Sequence, residues 1–457
     1  MIATASRADV RSVFSPVLDL MHDGRVAEAL ERLDALESRY HHDAVMLQHI
    51  GEHLMHAHQN ARAVRVYRRA CALLTTNAQA LYNLATALIA MGDMNEAEAL
   101  LDRVIALAPH DYDAYHNRST LRRQTPGRNH VDELEATLKQ GGAERGEVQL
   151  AYALAKEYED LGEWDKAFAC LKRGADRRKR HLSYAVADDL RAMTEIMRVF
   201  DTRYLNDDRA GHDSIAPIFV MGLPRSGTTL VDRIVSSHDT VQSMGEINDF
   251  ALCLTRLANT AGGGKMNLIA AARQIDPADL GHAYCRSVAG YGLDRVHFID
   301  KTPANYLYAG LIMKALPKAR IVHLNRDPMD TGYALYKTLF RMGCPYSYDL
   351  GDLGAYMAGH HRLTAHWRGL LPGRIIDIGY EAVVHDTEVQ SRALIMALGL
   401  DWQDACLDFH SHAGAAATAS AAQVRQPVYT TSVGLWQRYD QQLQPLAEAL
   451  RQNGLTV

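Results

Sequence analysis

The stretch LPRSGTT (223–229) is the part of the sequence best suited to chemistry on an anionic group. It follows the apolar run IAPIFVMG (215–222), which is rich in β-forming residues, and it precedes the helical pattern LVDRIVSSH (230–238). A strand, a glycine-containing turn and a helix in this order build an anion site, because the loop N–H groups and the positive end of the helix dipole point at one place. The sequence therefore predicts a phosphate-binding loop here.

The residue types in this loop narrow the choice of bound group. The spacing of Gly222, Gly227, Thr228 and Thr229 matches a Walker A loop, except that Thr228 stands where that loop has lysine. Arg225 supplies positive charge from inside the loop instead. Transfer of a γ-phosphoryl group needs the positive charge of the lysine that is missing here. The loop is therefore predicted to bind a single 5′-phosphate bearing a small leaving anion rather than a triphosphate.

Three further apolar runs, at 296–303, 319–330 and 373–384, predict strands that end in polar residues. The first ends in DKTP, the second in NRDP and the third in Tyr380 and Glu381. Helical patterns lie between the runs, and this alternation favours a mostly parallel sheet covered on both faces. Ligands bind beyond the carboxyl ends of such strands, so PRSGTT, DKTP and NRDP are expected to converge at one edge.

The first part of the chain repeats itself with a period of 34 residues. Residues 44–77 and 78–111 align without gaps, a later copy spans 154–171, and weaker units are predicted at 8–41 and 112–145. Small residues recur where two antiparallel helices must approach closely. The pattern resembles the tetratricopeptide repeat, which stacks helix pairs into a solenoid whose concave surface holds a peptide or another domain.

A chain of 457 residues is too long for a single core, and the two patterns divide it. We expect an α-helical tetratricopeptide-repeat solenoid over 1–182 and a linker helix and loop over 183–214. An α/β phosphate-loop domain with a mostly parallel sheet is expected over 215–457.

The overall composition limits the location and the partners. The balance of 49 basic against 54 acidic residues argues against a nucleic-acid-binding protein, and no apolar run is long enough to span a membrane. The N-terminus lacks the apolar stretch of a signal peptide. Six scattered cysteines without a CxxC pair indicate reduced thiols and no zinc site, so a cytoplasmic protein is expected.

Five motifs of the second half together resemble a known enzyme family. PRSGTTL and RDPMD are similar to the two phosphate-binding motifs of sulfotransferases, and GEIND, DKTP and QVRQPVYTTSVGLW bring the likeness close to the protein-tyrosine sulfotransferase branch. Bacterial proteins that fuse tetratricopeptide repeats to this domain form a subgroup. The resemblance implies 3′-phosphoadenosine 5′-phosphosulfate (PAPS) as the sulfuryl donor, no metal, and a peptide or protein acceptor held by the repeats. It leaves a homodimer open.

The resemblance also implies roles for individual residues. Glu246 lies 21 positions after Arg225 and matches the general base of that branch, while Lys301 lies 25 positions before Arg326 and matches its catalytic lysine. Ser420, three positions before QVRQP, matches a serine that acts in the transition state. Four residues are thus implied in catalysis: Glu246, Lys301, Arg225 and Ser420. Contacts to the nucleotide are implied for Arg225, Ser226, Gly227, Thr228, Thr229, Arg326, Tyr380, Ser420 and Trp436.

Two departures from the family pattern affect recognition. The 3′-phosphate motif has Ala334 where the family has serine, and either Thr331 or Tyr333 is a candidate to replace the lost hydroxyl. Animal tyrosine sulfotransferases carry arginines just after the base, whereas here an acceptor with acidic flanks is expected to meet Asp249.

Two alternatives remain beside a PAPS-dependent sulfotransferase of hydroxyl groups, tyrosine among them. One is a phosphate-loop kinase that uses ATP, which the missing lysine of the loop disfavours. The other is a repeat-based scaffold with a degenerate transferase domain, for which Ala334 is the only support. The acceptor itself stays open among tyrosine, another peptide hydroxyl, a sugar and a small metabolite.

Overall fold

The computed structural model describes residues 7–140, 143–261, 268–340, 343–411, 428 and 430–457. Its N-terminal part consists mainly of helices packed in pairs, which confirms the predicted repeats, although the two helices of the predicted unit 112–145 pack mainly on the helix that follows them. The helices are α1 (Arg7–His22), α2 (Val26–Arg39), α3 (Ala44–His56), α4 (Asn60–Leu73), α5 (Ala78–Met91), α6 (Met94–Leu107), α7 (Tyr112–Thr120), α8 (Val131–Lys139), α9 (Ala143–Leu161) and α10 (Trp164–Arg180).

Local signals in the sequence explain where the repeat helices turn and how closely they pack. Gly92 ends α5 in the left-handed conformation, with a φ of 92°, and Asp93 then caps α6 by accepting a hydrogen bond from the backbone of Glu96. Gly51 lets α3 and α4 approach, because a Cβ at this position would lie 2.4 Å from the ring of Tyr67. Small residues in the repeat therefore do what the sequence pattern predicts.

The second part of the chain alternates strands with helices. After α11 (Val186–Val199) and α12 (Thr202–Leu205), the strands are β1 (Ile218–Gly222), β2 (Val241–Ser243), β3 (His297–Asp300), β4 (Arg320–Asn325) and β5 (Ile375–Gly379). The helices are α13 (Thr228–Ser236), α14 (Asp249–Ala261), α15 (Leu268–Gln274), α16 (Pro277–Ala289), α17 (Ala309–Ala315), α18 (Pro328–Tyr336), α19 (Leu350–Leu370), α20 (Tyr380–His385), α21 (Thr387–Ala397) and α22 (Gln444–Gln452).

The five strands form one parallel sheet in the order β2-β3-β1-β4-β5. Successive residues of a strand point to opposite faces, so Ile218 and Val220 pack with α13 and α21 on one face. Phe219 and Met221 pack on the other face, in a core to which α14, α16, α17 and α19 contribute. This confirms the predicted sheet with both faces covered, and it brings the ends of β3, β1 and β4 side by side.

The last repeat shares its core with the sheet region. Tyr152 of α9 and Phe168 of α10 belong to the same buried cluster as Phe219 of β1. Glu159 accepts hydrogen bonds across this junction from Tyr333 and from Lys337, whose Nζ is 2.6 Å away. Among the described helices, none combines the length and the apolar character needed to cross a membrane.

Candidate active site

The phosphate loop connects β1 to α13 and holds two residues in the left-handed region. Arg225 has a φ of 69° and Gly227 a φ of 105°. Gly227 is also required for space, because a Cβ there would lie 2.5 Å from the ring of Tyr380. Ser226, Thr228 and Thr229 are buried at the start of α13. The loop thus gathers N–H and hydroxyl donors at a helix N-terminus, as an anion site requires.

One hydroxyl of this loop shows that the site suits a ligand. The Oγ of Ser226 is buried and has no hydrogen-bond partner among the described residues. Buried polar groups are nearly always paired, so a hydroxyl without a partner at a helix N-terminus fits a site for an anion. The oxygens of a bound anion would supply the missing acceptor.

A second cluster lies at the end of β4, next to the loop. Arg326 donates hydrogen bonds to the backbone oxygens of Arg225, at 3.0 Å, and Ser432, at 2.7 Å. Its guanidinium group lies 4.6 Å from the ring centre of Tyr380. The Tyr380 hydroxyl in turn hydrogen-bonds with Oγ of Ser432 at 2.8 Å. The structure therefore brings Arg326, Tyr380 and the phosphate loop together.

The sequence did not single out Asp330, which fastens the C-terminal segment to this cluster. Its buried carboxylate accepts hydrogen bonds from the backbone N–H groups of Gly434, at 2.7 Å, and Trp436, at 3.4 Å. Trp436 is thereby placed against α18, within a few residues of Ser432. The RDPMD motif contained Asp330 as its last residue, so the signal for this role was present in the sequence.

Glu246 and Lys301 form an ion pair because of the register between β2 and β3. Ser243 pairs with Ile299, and the pairing continues beyond the strands, where the N–H of Lys301 donates to the oxygen of Gly245 at 2.9 Å. Nζ of Lys301 then lies 2.5 Å from Oε1 of Glu246. The side chain of Lys301 is only 1% exposed, whereas that of Glu246 is 43% exposed, so the carboxylate faces the open side of the pair.

The charge of Lys301 acts on the helix that begins at the phosphate loop. Asp232 lies one turn into α13 and is buried, and burial raises the pKa of its carboxyl group while the nearby charge of Lys301 opposes that rise. Lys301 therefore lies close to the helix that begins at the loop. Strand β3, which carries Lys301, is the direct neighbour of β1.

Asp300 has a structural role next to the pair. Its carboxylate accepts hydrogen bonds from Tyr284 at 3.1 Å, from the backbone of Thr302 at 3.2 Å and from Asn305 at 3.0 Å. Burial raises the pKa of Asp300 to about 7, although the bonds from Thr302 and Tyr284 oppose the rise. These contacts hold the DKTP turn, and with it the backbone of Lys301.

The expectation that an acceptor meets Asp249 is wrong. Asp249 is buried at the start of α14, where its carboxylate accepts hydrogen bonds from Ser287 and, at 3.1 Å, from Tyr291. Both partners belong to the α16 region, so Asp249 joins two helices. The sequence could not show this, because the partners lie 38 and 42 residues further along the chain.

The structure separates the two candidates for the missing hydroxyl at Ala334. Tyr333 donates its hydroxyl to Glu159 of the last repeat, so it is committed to the junction. Oγ1 of Thr331 is buried and has no hydrogen-bond partner among the described residues.

Ser420, the remaining residue implied in catalysis, lies outside the described residues. Within those residues, no group of three or more side chains could hold a metal ion.

Comparison with protein families gives two matches. Residues 217–404 match the model of the sulfotransferase family, and residues 54–121 match a tetratricopeptide-repeat model. The first range holds the phosphate loop, the Glu246–Lys301 pair and Arg326.

Similar proteins include an uncharacterized protein of Aquifex aeolicus, which is 27% identical over 417 residues. That match covers 87% of this chain and 54% of the relative, so this chain spans about half of the relative's length. A Caenorhabditis briggsae protein, described provisionally as a protein-tyrosine sulfotransferase, is 23% identical over 224 residues, which are 48% of this chain and 80% of that protein.

Two of the solved structures that align with this chain are sulfotransferases. The sulfotransferase domain from the curacin biosynthetic pathway aligns with a TM-score of 0.33 at 16% identity, over 51% of this chain and 98% of that chain. A sulfotransferase from Mycobacterium avium aligns with a TM-score of 0.31 at 12% identity, over 72% of this chain and 97% of that chain. From the two family matches, the chain combines tetratricopeptide repeats with a sulfotransferase family domain.

Proposed function

We propose that the protein is a PAPS-dependent sulfotransferase that moves a sulfuryl group to a hydroxyl group on a peptide or protein, with tyrosine among the acceptors. The observation that carries the proposal is the Glu246–Lys301 pair beside a phosphate loop without the Walker lysine. Bound PAPS supplies the sulfuryl group and leaves as adenosine 3′,5′-bisphosphate. We further propose that 1–182 hold the acceptor, that 215–457 carry catalysis and that 183–214 join them.

The residues of the chain divide the work between binding and proton transfer. Arg225 and the loop donors Ser226, Thr228 and Thr229 hold the 5′-phosphosulfate, and Arg326 holds the 3′-phosphate. Lys301 stabilises the negative charge that develops on the leaving phosphate oxygen, as a preorganised donor in a closed site does. Glu246, exposed on the other side of the pair, accepts the proton of the attacking hydroxyl.

Recognition of the 3′-phosphate is assigned to Thr331 in place of the family serine. Thr331 and Ala334, which occupies the position of the family serine, are three positions apart on α18. They therefore lie next to each other on one face of the helix. The buried hydroxyl of Thr331 lacks a partner that a phosphate oxygen would supply.

Calorimetric titration of the full-length protein tests the proposal. We expect adenosine 3′,5′-bisphosphate to bind without magnesium and more tightly than ATP does with magnesium. A protein that prefers magnesium–ATP would be a kinase candidate, and a protein that binds neither nucleotide would support the degenerate scaffold. Either of these results contradicts the proposal.

A further inference from the structure

The first repeat contacts α14 and α16, two helices that follow Glu246 in the chain. Arg256 of α14 donates a hydrogen bond of 2.7 Å to the backbone oxygen of His22, at the end of α1. In the turn to α2, a Cβ added to Gly24 would lie 2.7 Å from Oγ of Ser287 and 3.1 Å from the Arg256 guanidinium group. Gly24 has a φ of 68°, so both the backbone and the space favour glycine here. The turn between α1 and α2 is therefore docked on α14 and α16.

The second repeat reaches the same place through His58. This residue lies in the turn between α3 and α4. Its backbone has a φ of 56°, which residues other than glycine rarely adopt. Its ring packs edge-on against Tyr291, with 5.9 Å between the ring centres. Tyr291 donates its hydroxyl to Asp249, which lies three positions after Glu246.

The charges of Glu246 and Lys301 also act on His58. Burial lowers the pKa of its imidazole, while the charges of Asp249 and Glu246 oppose that change and the charge of Lys301 adds to it. Because the pKa is lowered from 6.5, the ring is uncharged at neutral pH and offers one hydrogen-bond donor and one acceptor. A strained residue of the repeats is thus connected, through Tyr291 and Asp249, to the start of α14, three positions after Glu246.

We propose that the acceptor side of the site is composite, with the docked turns of the first two repeats as one wall and His58 as the repeat residue that contacts the acceptor. This inference rests on the sulfotransferase function proposed above. The repeats then have two roles. They hold the acceptor away from the site, and at the site they help to select the hydroxyl group that reaches Glu246. The uncharged ring suits an acceptor whose hydroxyl lies on an uncharged segment, such as the phenol of a tyrosine without acidic neighbours.

The first test compares His58→Asn with His56→Asn. Asparagine tolerates the left-handed backbone, so the turn is preserved at position 58, and His56 is an exposed histidine two residues earlier. With a tyrosine-containing peptide pool and PAPS, we expect His58→Asn to raise the KM for peptides ~10-fold, the loss of about one hydrogen bond. The affinity for adenosine 3′,5′-bisphosphate should stay the same in both variants. An unchanged KM for peptides in His58→Asn would overturn the proposal.

The second test needs neither donor nor acceptor. Gly24→Ala and Gly162→Ala place the same substitution in the left-handed turn of a repeat, but a Cβ at Gly162 would contact nothing within 4 Å. Hydrogen exchange of the backbone at 245–260 should become faster in Gly24→Ala and stay at the wild-type rate in Gly162→Ala. Equal exchange rates in both variants would contradict the composite site. If the wild-type protein binds no adenosine 3′,5′-bisphosphate, the proposed function fails, while this exchange measurement still decides whether the repeats form the wall.

Discussion

In the proposed enzyme, the donor side and the acceptor side of the site are built in different ways. The donor side consists of the phosphate loop, Arg326, Tyr380 and the segment around Ser432, and its loop donors are buried within the sheet region. The acceptor side consists of the half-exposed Glu246 and, by our proposal, a turn of the repeats. Donor binding is therefore encoded mostly in short motifs, whereas acceptor binding depends on contacts between residues far apart in the chain.

If this division is correct, substitutions on one side leave the other side intact. Each substitution below therefore changes one side, and an effect that appears on the other side breaks the comparison.

The largest effect is expected from Glu246→Gln on the acceptor side. Glutamine keeps the size of the side chain but cannot accept a proton, so kcat should fall about 10²–10⁴-fold. The affinity for adenosine 3′,5′-bisphosphate, measured by calorimetry, should change less than about twofold. Loss of nucleotide binding in this variant would show that Glu246 belongs to the donor side.

Lys301→Met should lower kcat by about 10²–10³-fold, because the variant loses a donor to the leaving oxygen. Lys314→Met is the matched control, since the side chain of Lys314 is only 9% exposed and forms an ion pair with Asp207. Both variants should unfold at a lower temperature, but steady-state kinetics should show the loss of turnover only for Lys301→Met. Equal losses of turnover would indicate a merely structural lysine.

Arg326→Ala should weaken the binding of adenosine 3′,5′-bisphosphate about 10–100-fold, as expected for hydrogen bonds to a charged group. Arg320→Ala, at the opposite end of β4, should leave this affinity unchanged. Calorimetry on both variants checks the prediction. Similar affinities in the two variants would remove Arg326 from the donor side.

Thr331→Val should reduce the preference for adenosine 3′,5′-bisphosphate over adenosine 5′-monophosphate about 2–10-fold, through the loss of one neutral hydrogen bond. In Thr338→Val, by contrast, the hydroxyl lost is one that donates to the backbone of Ala334 at 2.7 Å. This control should keep the preference. A preference retained in Thr331→Val would mean that another residue replaces the family serine.

Acid should remove the stability that three histidines with lowered pKa values contribute to the fold. Burial lowers the pKa of His323 on β4 and of His360, and it lowers the pKa of His58 as well. In the folded protein the pKa values of these three histidines lie below 6.5. As the pH falls below about 6.5, the unfolded chain therefore binds more protons than the folded protein does. The stability that these histidines contribute is thus complete above this pH and decreases below it, by at most about 1.4 kcal/mol for each pKa unit. The buried carboxyl group of Asp300, whose pKa is raised to about 7, takes up a proton in the folded protein over the same range and opposes this decrease.

Thermal unfolding at pH 7.5 and at pH 5.5 checks this direction. His360→Leu should reduce the decrease at low pH, and the exposed neighbour His361, changed to Leu, should not. An equal decrease in His360→Leu and in the wild type would contradict the assignment of His360 as a buried, uncharged histidine.

Much of the fold was predictable because its signals are local. The repeat period, the loop at 223–229 and the apolar runs that became β3, β4 and β5 each depend on residues close together in the sequence. Strand β2 was missed because three residues are too few to show an alternating pattern, although its register with β3 pairs Glu246 with Lys301.

The rest of the site depends on distant partners. Asp249 was expected to face an acceptor, but Ser287 and Tyr291 cover it. Nothing near position 58 in the sequence shows that its side chain meets Tyr291, more than 200 residues later. The strand pattern placed Lys301 at the sheet edge, but only the family pattern pointed to Glu246, and the reason they meet is visible only in the sheet.

The most direct test of the account is the transfer of radiolabelled sulfur from PAPS to a tyrosine-containing peptide pool by the full-length protein, with nucleotide binding measured in the same sample. The account predicts that the protein binds adenosine 3′,5′-bisphosphate and that label appears on peptides, without a requirement for ATP. Label that remains in PAPS, together with no binding of the nucleotide, would contradict it.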